Sequence, residues 1–210
     1  MSRPSQIRFL SRAAALYDPV VGAMGFRRLW DALADRVKAS SGIRVLDACT
    51  GTGGSALALA RRGCQVVGFD LAAGMLERAR RGARAGELER RVRWVRMDAR
   101  RIAFPDGAFP VVTCTMALHE MAEPERLRAL QEFRRVARDR VLVADYRVPA
   151  NAWGGAFFRL SRAFEYLESD DFGSYVAGDF RARLEAAGLA VEAPFDAGAY
   201  RIWPCRVSRR

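Results

Sequence analysis

From Ile43 onward the chain alternates short β-branched runs with longer amphipathic stretches. That rhythm confines it to few folds. Parallel strands need a long crossover between them, and a helix is the usual one. Ile43 to Ala48, Gln65 to Asp70, Val92 to Met97, Phe109 to Thr115 and Val141 to Tyr146 read as strands. Between them Gly54 to Arg62, Ala72 to Ala85 and Glu123 to Ala137 read as helices, the last opened by Pro124 in its first turn. The expected class is α/β with a doubly wound parallel sheet.

The pattern changes on either side of this core. Residues 5–38 form one or two helices, broken near Asp18, Pro19 and Gly22. After Tyr146, Pro149, Gly154 and Gly155 interrupt an aromatic-rich stretch holding Trp153, Phe157, Phe158, Phe164, Tyr166, Phe172 and Tyr175. Seven rings in so broken a segment read as a cover over an apolar substrate, or as simple core. A helix from Asp179 to Ala187 stops at Gly188. Leu189 to Phe195 and Ala199 to Val207 then close the chain as two strands, antiparallel across a turn at 196–198. The 210 residues make one domain, 1–210, able to bury roughly 70% of its unfolded surface without disulfides or metals. Its parts are 5–38, a core at 43–146, an insertion at 147–178 and a closing unit at 179–210.

Lys and Arg number 35 against 24 Asp and Glu, a net charge of +11. Such charge attracts nucleic acid or anionic membranes without specifying a fold. Lys38 is the one lysine, and the arginines run from Arg3 to Arg210 rather than in one tract, so a compositional bias explains much of the excess and a nucleic-acid partner is a minority reading. The apolar stripe Phe9, Leu10, Ala13, Leu16, Tyr17 and Val20, with Arg8 and Arg12, either lies on an anionic membrane or docks on the sheet. No apolar run reaches the ~20 residues of a membrane span, and the first thirty residues lack a secretory signal's apolar core. The expected location is the cytoplasm, with peripheral contact at the inner membrane surface as an option. The cysteines at 49, 64, 114 and 205 make no metal-ligand spacing and His119 is the single histidine, so no metal site is expected.

The chemistry concentrates in Val45-Leu46-Asp47-Ala48-Cys49-Thr50-Gly51-Thr52-Gly53-Gly54. An apolar strand ends in an acid, and a glycine-rich turn opens into a helix. In an open α/β sheet that turn lies where ligands bind. Asp70 ends the next strand, where an acid accepts both hydroxyls of a ribose. A carboxylate at Asp47 repels a pyrophosphate and attracts an ammonium or sulfonium group. This favours S-adenosylmethionine over NAD, leaving a dehydrogenase as runner-up.

With these motifs the chain resembles class I S-adenosylmethionine-dependent methyltransferases, from Tyr17 to about Val207. Within that superfamily it is similar to the ubiquinone and menaquinone biosynthesis C-methyltransferases and their many relatives of undefined substrate. The resemblance implies a Rossmann-like, seven-stranded sheet of order 3-2-1-4-5-7-6, the last strand antiparallel, under an N-terminal helical lid. It implies that Asp47 orients the methionine amino group and that Cys49, Gly51 and Gly53 line the amino-acid end. Leu71 and Met75 would then pack on the adenine, Asp98 and Ala99 meet its edge, and Thr115 joins the cofactor side. Phe104-Pro105-Asp106-Gly107-Ala108-Phe109 resembles the family's loop into strand four. Before the fifth strand Ala137-Arg138-Asp139-Arg140 replaces the usual Pro-Gly-Gly, which shortens the loop there. Tyr17-Asp18 and Gly25-Phe26-Arg27-Arg28-Leu29-Trp30 resemble the lid, and Tyr166-Leu167-Glu168-Ser169 loosely matches a stretch of the quinone branch.

His119 follows strand four on the ligand-bearing edge. An imidazole titrating near pH 6.5 suits a general base, and the alternative is packing on the cofactor. His119 and Tyr17 are the candidate catalytic residues, Tyr17 by helping to enclose the site. The expected acceptor is small and apolar or aromatic, quinol-like or lipid-like. A phospholipid or aminolipid N-methyltransferase at the membrane surface is the alternative. An RNA methyltransferase is disfavoured: Thr113-Cys114-Thr115 lacks the second cysteine motif of the cytosine enzymes, and no Asn-Pro-Pro-Tyr box is present.

Overall fold

The computed structural model of the protein describes residues 25–37, 42–147 and 172–208. At its centre, β1 (Arg44–Ala48) pairs in parallel with β2 (Gln65–Asp70) on one side and β4 (Phe109–Thr115) on the other. β3 (Val92–Arg96) lies parallel outside β2, and β5 (Ala137–Tyr146) parallel outside β4. β8 (Tyr200–Arg206) runs antiparallel to β5. Its far edge carries β6 (Ala190–Val191) and β7 (Phe195–Ala197). The order is 3-2-1-4-5-8-6, with β7 also on β8. This is the expected sheet, its last long strand in the expected antiparallel place.

Val45 to Ala48 and Val141 to Tyr146 are buried without alternation, because helices cover both faces. The chain leaves β1 for β2 through α2 (Gly54–Arg61) and leaves β4 for β5 through α4 (Glu123–Val136). These crossovers step outward in opposite directions, so their right-handedness sets the two helices on opposite faces. A crevice therefore opens between the ends of β1 and β4. α3 (Ala73–Ala85) joins β2 to β3.

Ahead of the sheet, α1 (Phe26–Arg36) buries Phe26, Leu29, Leu33 and Ala34, a stripe at helical spacing. Phe26 stacks on Tyr200 with centroids 4.9 Å apart. Arg62 ties α1 to α2 through Asp31 at 3.1 Å and Asp35 at 2.7 Å. Tyr17, with the rest of segment 5–38 before Gly25, lies outside the described residues, as do Trp153 to Tyr166 and Leu167 to Ser169. The insertion's described end is α5 (Phe172–Ala177).

Two elements differ from the sequence reading. β5 begins at Ala137, not Val141, so the tetrapeptide read as a shortened loop is strand: α4 passes directly into β5, and a register shift between Phe109 and Val111 absorbs the join. The run Leu189 to Phe195 is two strands. Ala190 faces Arg206 and Phe195 faces Ile202, so five steps on one side oppose four on the other. Pro194 sits in that bulge, having no N–H to offer the ladder. The turn into β8 is Gly198-Ala199, with Gly198 at φ 68°. α6 (Phe180–Ala186) is capped by the Asp179 carboxylate, which accepts from the Arg181 and Ala182 N–H groups. Among the described residues no helix is long and apolar enough to cross a membrane.

Candidate active site

The turn after β1 takes three left-handed residues in quick succession: Cys49 (φ 53°), Gly51 (φ 55°) and Gly53 (φ 87°). The Gly51 N–H donates to Asp70 Oδ2 and the Ala72 N–H to Asp70 Oδ1, each at 2.9 Å. One carboxylate thus joins two loops, and each of its oxygens keeps lone-pair capacity for a ligand hydroxyl. Burial pushes Asp70 above its ordinary range against the lowering effect of these backbone donors. The space beside the Gly51 Cα is open, which suits close approach of a ligand. Gly53 differs, since a Cβ there would meet Trp94 at 2.6 Å, as it would at Gly68. Packing of the indole accounts for both.

Asp47 lies beneath the turn at 0% exposure. Its Oδ1 accepts from the Thr113 hydroxyl at 2.7 Å; its Oδ2 accepts from Ser55 at 2.7 Å and Thr50 at 2.5 Å. Desolvation raises its pKa, and the three hydroxyls work against that rise. Asp47 thus braces β1, β4, the turn and the start of α2. Thr115, at the end of β4, extends the chain by donating to Ser55 Oγ at 3.4 Å. Cys49 is half-buried and beside Cys114 on β4; its contact, followed by burial, pushes the Cys114 thiol far above its usual range.

Met75 and Ala99 are buried and Leu71 half-buried, an apolar setting for a flat ring. Asp98 is held by Arg100, whose Nε lies 2.9 and 3.1 Å from its two oxygens. Arg100 also reaches Glu125 at 2.8 Å. The acid matched to the adenine edge is therefore in a bidentate ion pair.

His119 lies in a 3-10 turn, Leu118–Glu120, just past β4. Its Nδ1 is 2.7 Å from Asp145 Oδ1, and the two side chains are 3% and 1% exposed. Asp145 also accepts from the His119 and Tyr146 backbone N–H groups at 3.3 and 2.9 Å. A carboxylate accepts and does not donate, so Nδ1 carries the hydrogen and Nε2 is left as a proton acceptor. Glu120 Oε1 lies 3.9 Å from Nε2. Tyr146 and Tyr175 flank the imidazole edge-on, at 5.0 and 6.1 Å between centroids. Burial holds the Tyr175 phenol well above its ordinary range, which keeps it neutral. Sequence reasoning missed Asp145, and it held Tyr175 only as one of the seven rings of the aromatic stretch. The first had a signal, since Val141 to Tyr146 ends in an acid just as β1 and β2 do.

The residues present fit S-adenosylmethionine: paired acceptors on Asp70, open backbone at Gly51, an apolar floor at Leu71 and Met75, and buried negative charge at Asp47.

A methyltransferase-domain family matches residues 45–140. The demethylmenaquinone methyltransferase of Thermobifida fusca is 30% identical over 196 residues, covering 84% of this chain and 82% of its own. The chain belongs to the class I S-adenosylmethionine-dependent methyltransferases. The Thermus thermophilus demethylmenaquinone methyltransferase is 39% identical over 143 residues, 66% of this chain and 62% of its own. The chain spans about three-fifths of the length of this and two further such relatives. A SAM-dependent methyltransferase from Aquifex aeolicus shares the fold, with TM-score 0.65 at 20% identity, covering 99% of this chain and all of its own.

Proposed function

We propose that this methyltransferase transfers a methyl group to a small aromatic acceptor bearing an ionisable hydroxyl, of the hydroquinone type. The observation that carries the reading is the buried Asp145–His119 pair beside the switch point. It favours an acceptor with a proton to lose, and the demethylmenaquinone methyltransferase relatives support a quinone-related one. Asp70 would hold the ribose, Leu71 and Met75 the adenine, and the Gly51 turn the amino-acid end. Bound there, S-adenosylmethionine supplies an electrophilic methyl on a sulfonium and leaves as the thioether. Nε2 of His119 takes the acceptor's O–H proton. Asp145 keeps the Nδ1–H tautomer and stabilises the imidazolium that forms. The electron pair so freed, on oxygen or on the ring carbon it delocalises to, would be the nucleophile for that methyl; on the carbon route the ring proton would leave to a water molecule and the His119 imidazolium would return its proton to the ring oxygen. Tyr175, in the described end of the insertion, stands against the His119 imidazole, where it would shield the acceptor from water.

The test supplies S-adenosylmethionine and a reduced naphthoquinol, with the methylated product read by mass spectrometry. His119→Ala should lower kcat by roughly 10² to 10⁴ with cofactor affinity almost unchanged. Asp145→Asn should lower kcat in the same direction and alter the pH profile. A wild-type chain that binds the cofactor yet methylates no hydroxylated aromatic would overturn the acceptor class, and an unimpaired His119→Ala the base.

A further inference from the structure

A second cavity, of about 480 Å³, opens between α1, α2 and α3. Thr52 and Gly54 of the glycine turn border it, while Asp70, Asp98 and His119 do not. Its wall carries four guanidinium groups: Arg27 from α1, Arg61 from α2, and Arg78 and Arg81 from α3. The single carboxylate in that wall, Asp31, is engaged by Arg62 at 3.1 Å. Glu77, outside the wall, lies 3.4 Å from Arg81 Nε and 3.8 Å from Arg80 Nη1. The wall thus holds four arginines against one carboxylate, and like charges gathered around one cavity repel even when partly screened. An anion relieves this, and guanidinium forks match the oxygens of phosphate in pairs. Apart from Thr52 the remaining lining is apolar and includes the Trp30 indole and Leu57, which offers carbon surface to whatever carries the anion.

We propose that this groove binds a phosphate ester, the phosphate among the four arginines and its organic part on Trp30 and Leu57. The proposal is independent of the acceptor's identity. A free metabolite and the headgroup of an anionic phospholipid present the same chemistry.

The experiment titrates the full chain with glycerol 1-phosphate by calorimetry and sediments it with phosphatidylglycerol or phosphatidylcholine vesicles, at about 0.15 M salt. Each measurement is repeated on Arg27→Gln/Arg61→Gln/Arg81→Gln and on the charge-matched Arg90→Gln/Arg93→Gln/Arg128→Gln. Both triples lower the net charge by three. The groove triple should weaken binding about tenfold or more, as loss of charge-assisted bonds implies, and the control by less than about twofold. Binding of phosphatidylglycerol vesicles that the groove triple abolishes identifies a lipid source; binding of glycerol 1-phosphate alone identifies a soluble one. Equal losses in the two triples would reduce the effect to overall charge and overturn the site. Absence of saturable binding to either phosphate probe would overturn it as well. Circular dichroism of each triple guards against misfolding, and Arg61→Gln, at an exposed helix end, repeats the comparison singly against Arg90→Gln.

Discussion

Asp70 fixes the turn with the same carboxylate that we propose holds the ribose. Asparagine there would set an amide N–H₂ against a backbone N–H, so Asp70→Asn should weaken S-adenosylmethionine by about 1 to 3 kcal/mol, or roughly five- to 150-fold, measured by calorimetry. Ribose hydroxyls held there would donate to the ionised carboxylate, whose pKa burial raises above the ordinary 3.8. Affinity should therefore fall as pH drops through that raised value, and Asp70→Asn should flatten this limb. Asp47 poses the corresponding stability question, being wholly buried with three hydroxyl donors. Thr113→Val removes one donor and should cost about 1 to 3 kcal/mol in urea unfolding. The sign with pH follows from the raised pKa. The folded chain bears the cost of a buried charge above that value, and protonation relieves it below, so the loss should be larger at neutral than at acid pH.

At the scale of elements, Gly53 separates packing from ligand approach. Gly53→Ala forces a side chain into φ 87° and against the Trp94 ring, a strain of order 1 to 3 kcal/mol. Trp94→Phe removes the ring atom met at 2.6 Å, so the double variant should recover part of the lost thermal stability. A ligand-lining role alone would give no recovery. The central strands were legible in the sequence because both their faces are buried, which writes Val45-Leu46 and Val141-Leu142-Val143 as uninterrupted apolar runs. Strand content was hidden where both faces are wet: the successive residues Arg138 and Asp139 are exposed at the start of β5, and local polarity read as loop. The bulge at Glu192 to Pro194 depends on what β8 offers across the gap. Asp47 and Asp70 were legible as acids ending strands. The Asp145–His119 pair was not, since it joins residues 26 apart that only the adjacency of β4 and β5 brings together. Nor did local sequence reveal that Arg100 engages Asp98.

Over the whole molecule, the candidate site has no domain of its own. It draws on the turn after β1 and the ends of β2 and β4, and Thr113 and Asp145 tie those ends into the sheet interior. A ligand bound across them binds the folded chain and finds no equivalent in the unfolded one. Cofactor at 100 times its Kd should then stabilise the chain by about 2.7 kcal/mol. For a chain of this size that raises Tm by roughly 5 to 11 °C. Thermal unfolding followed by circular dichroism checks the shift, with NAD at the same concentration as control. At the same cofactor concentration Asp70→Asn should lose roughly a third to nine-tenths of the shift while keeping a cooperative transition, because its binding is weakened and its sheet is intact. A shift with NAD equal to that with S-adenosylmethionine would overturn the assignment of ligand to the turn. Retention of the full shift in Asp70→Asn at subsaturating cofactor would show instead that the ribose is held elsewhere.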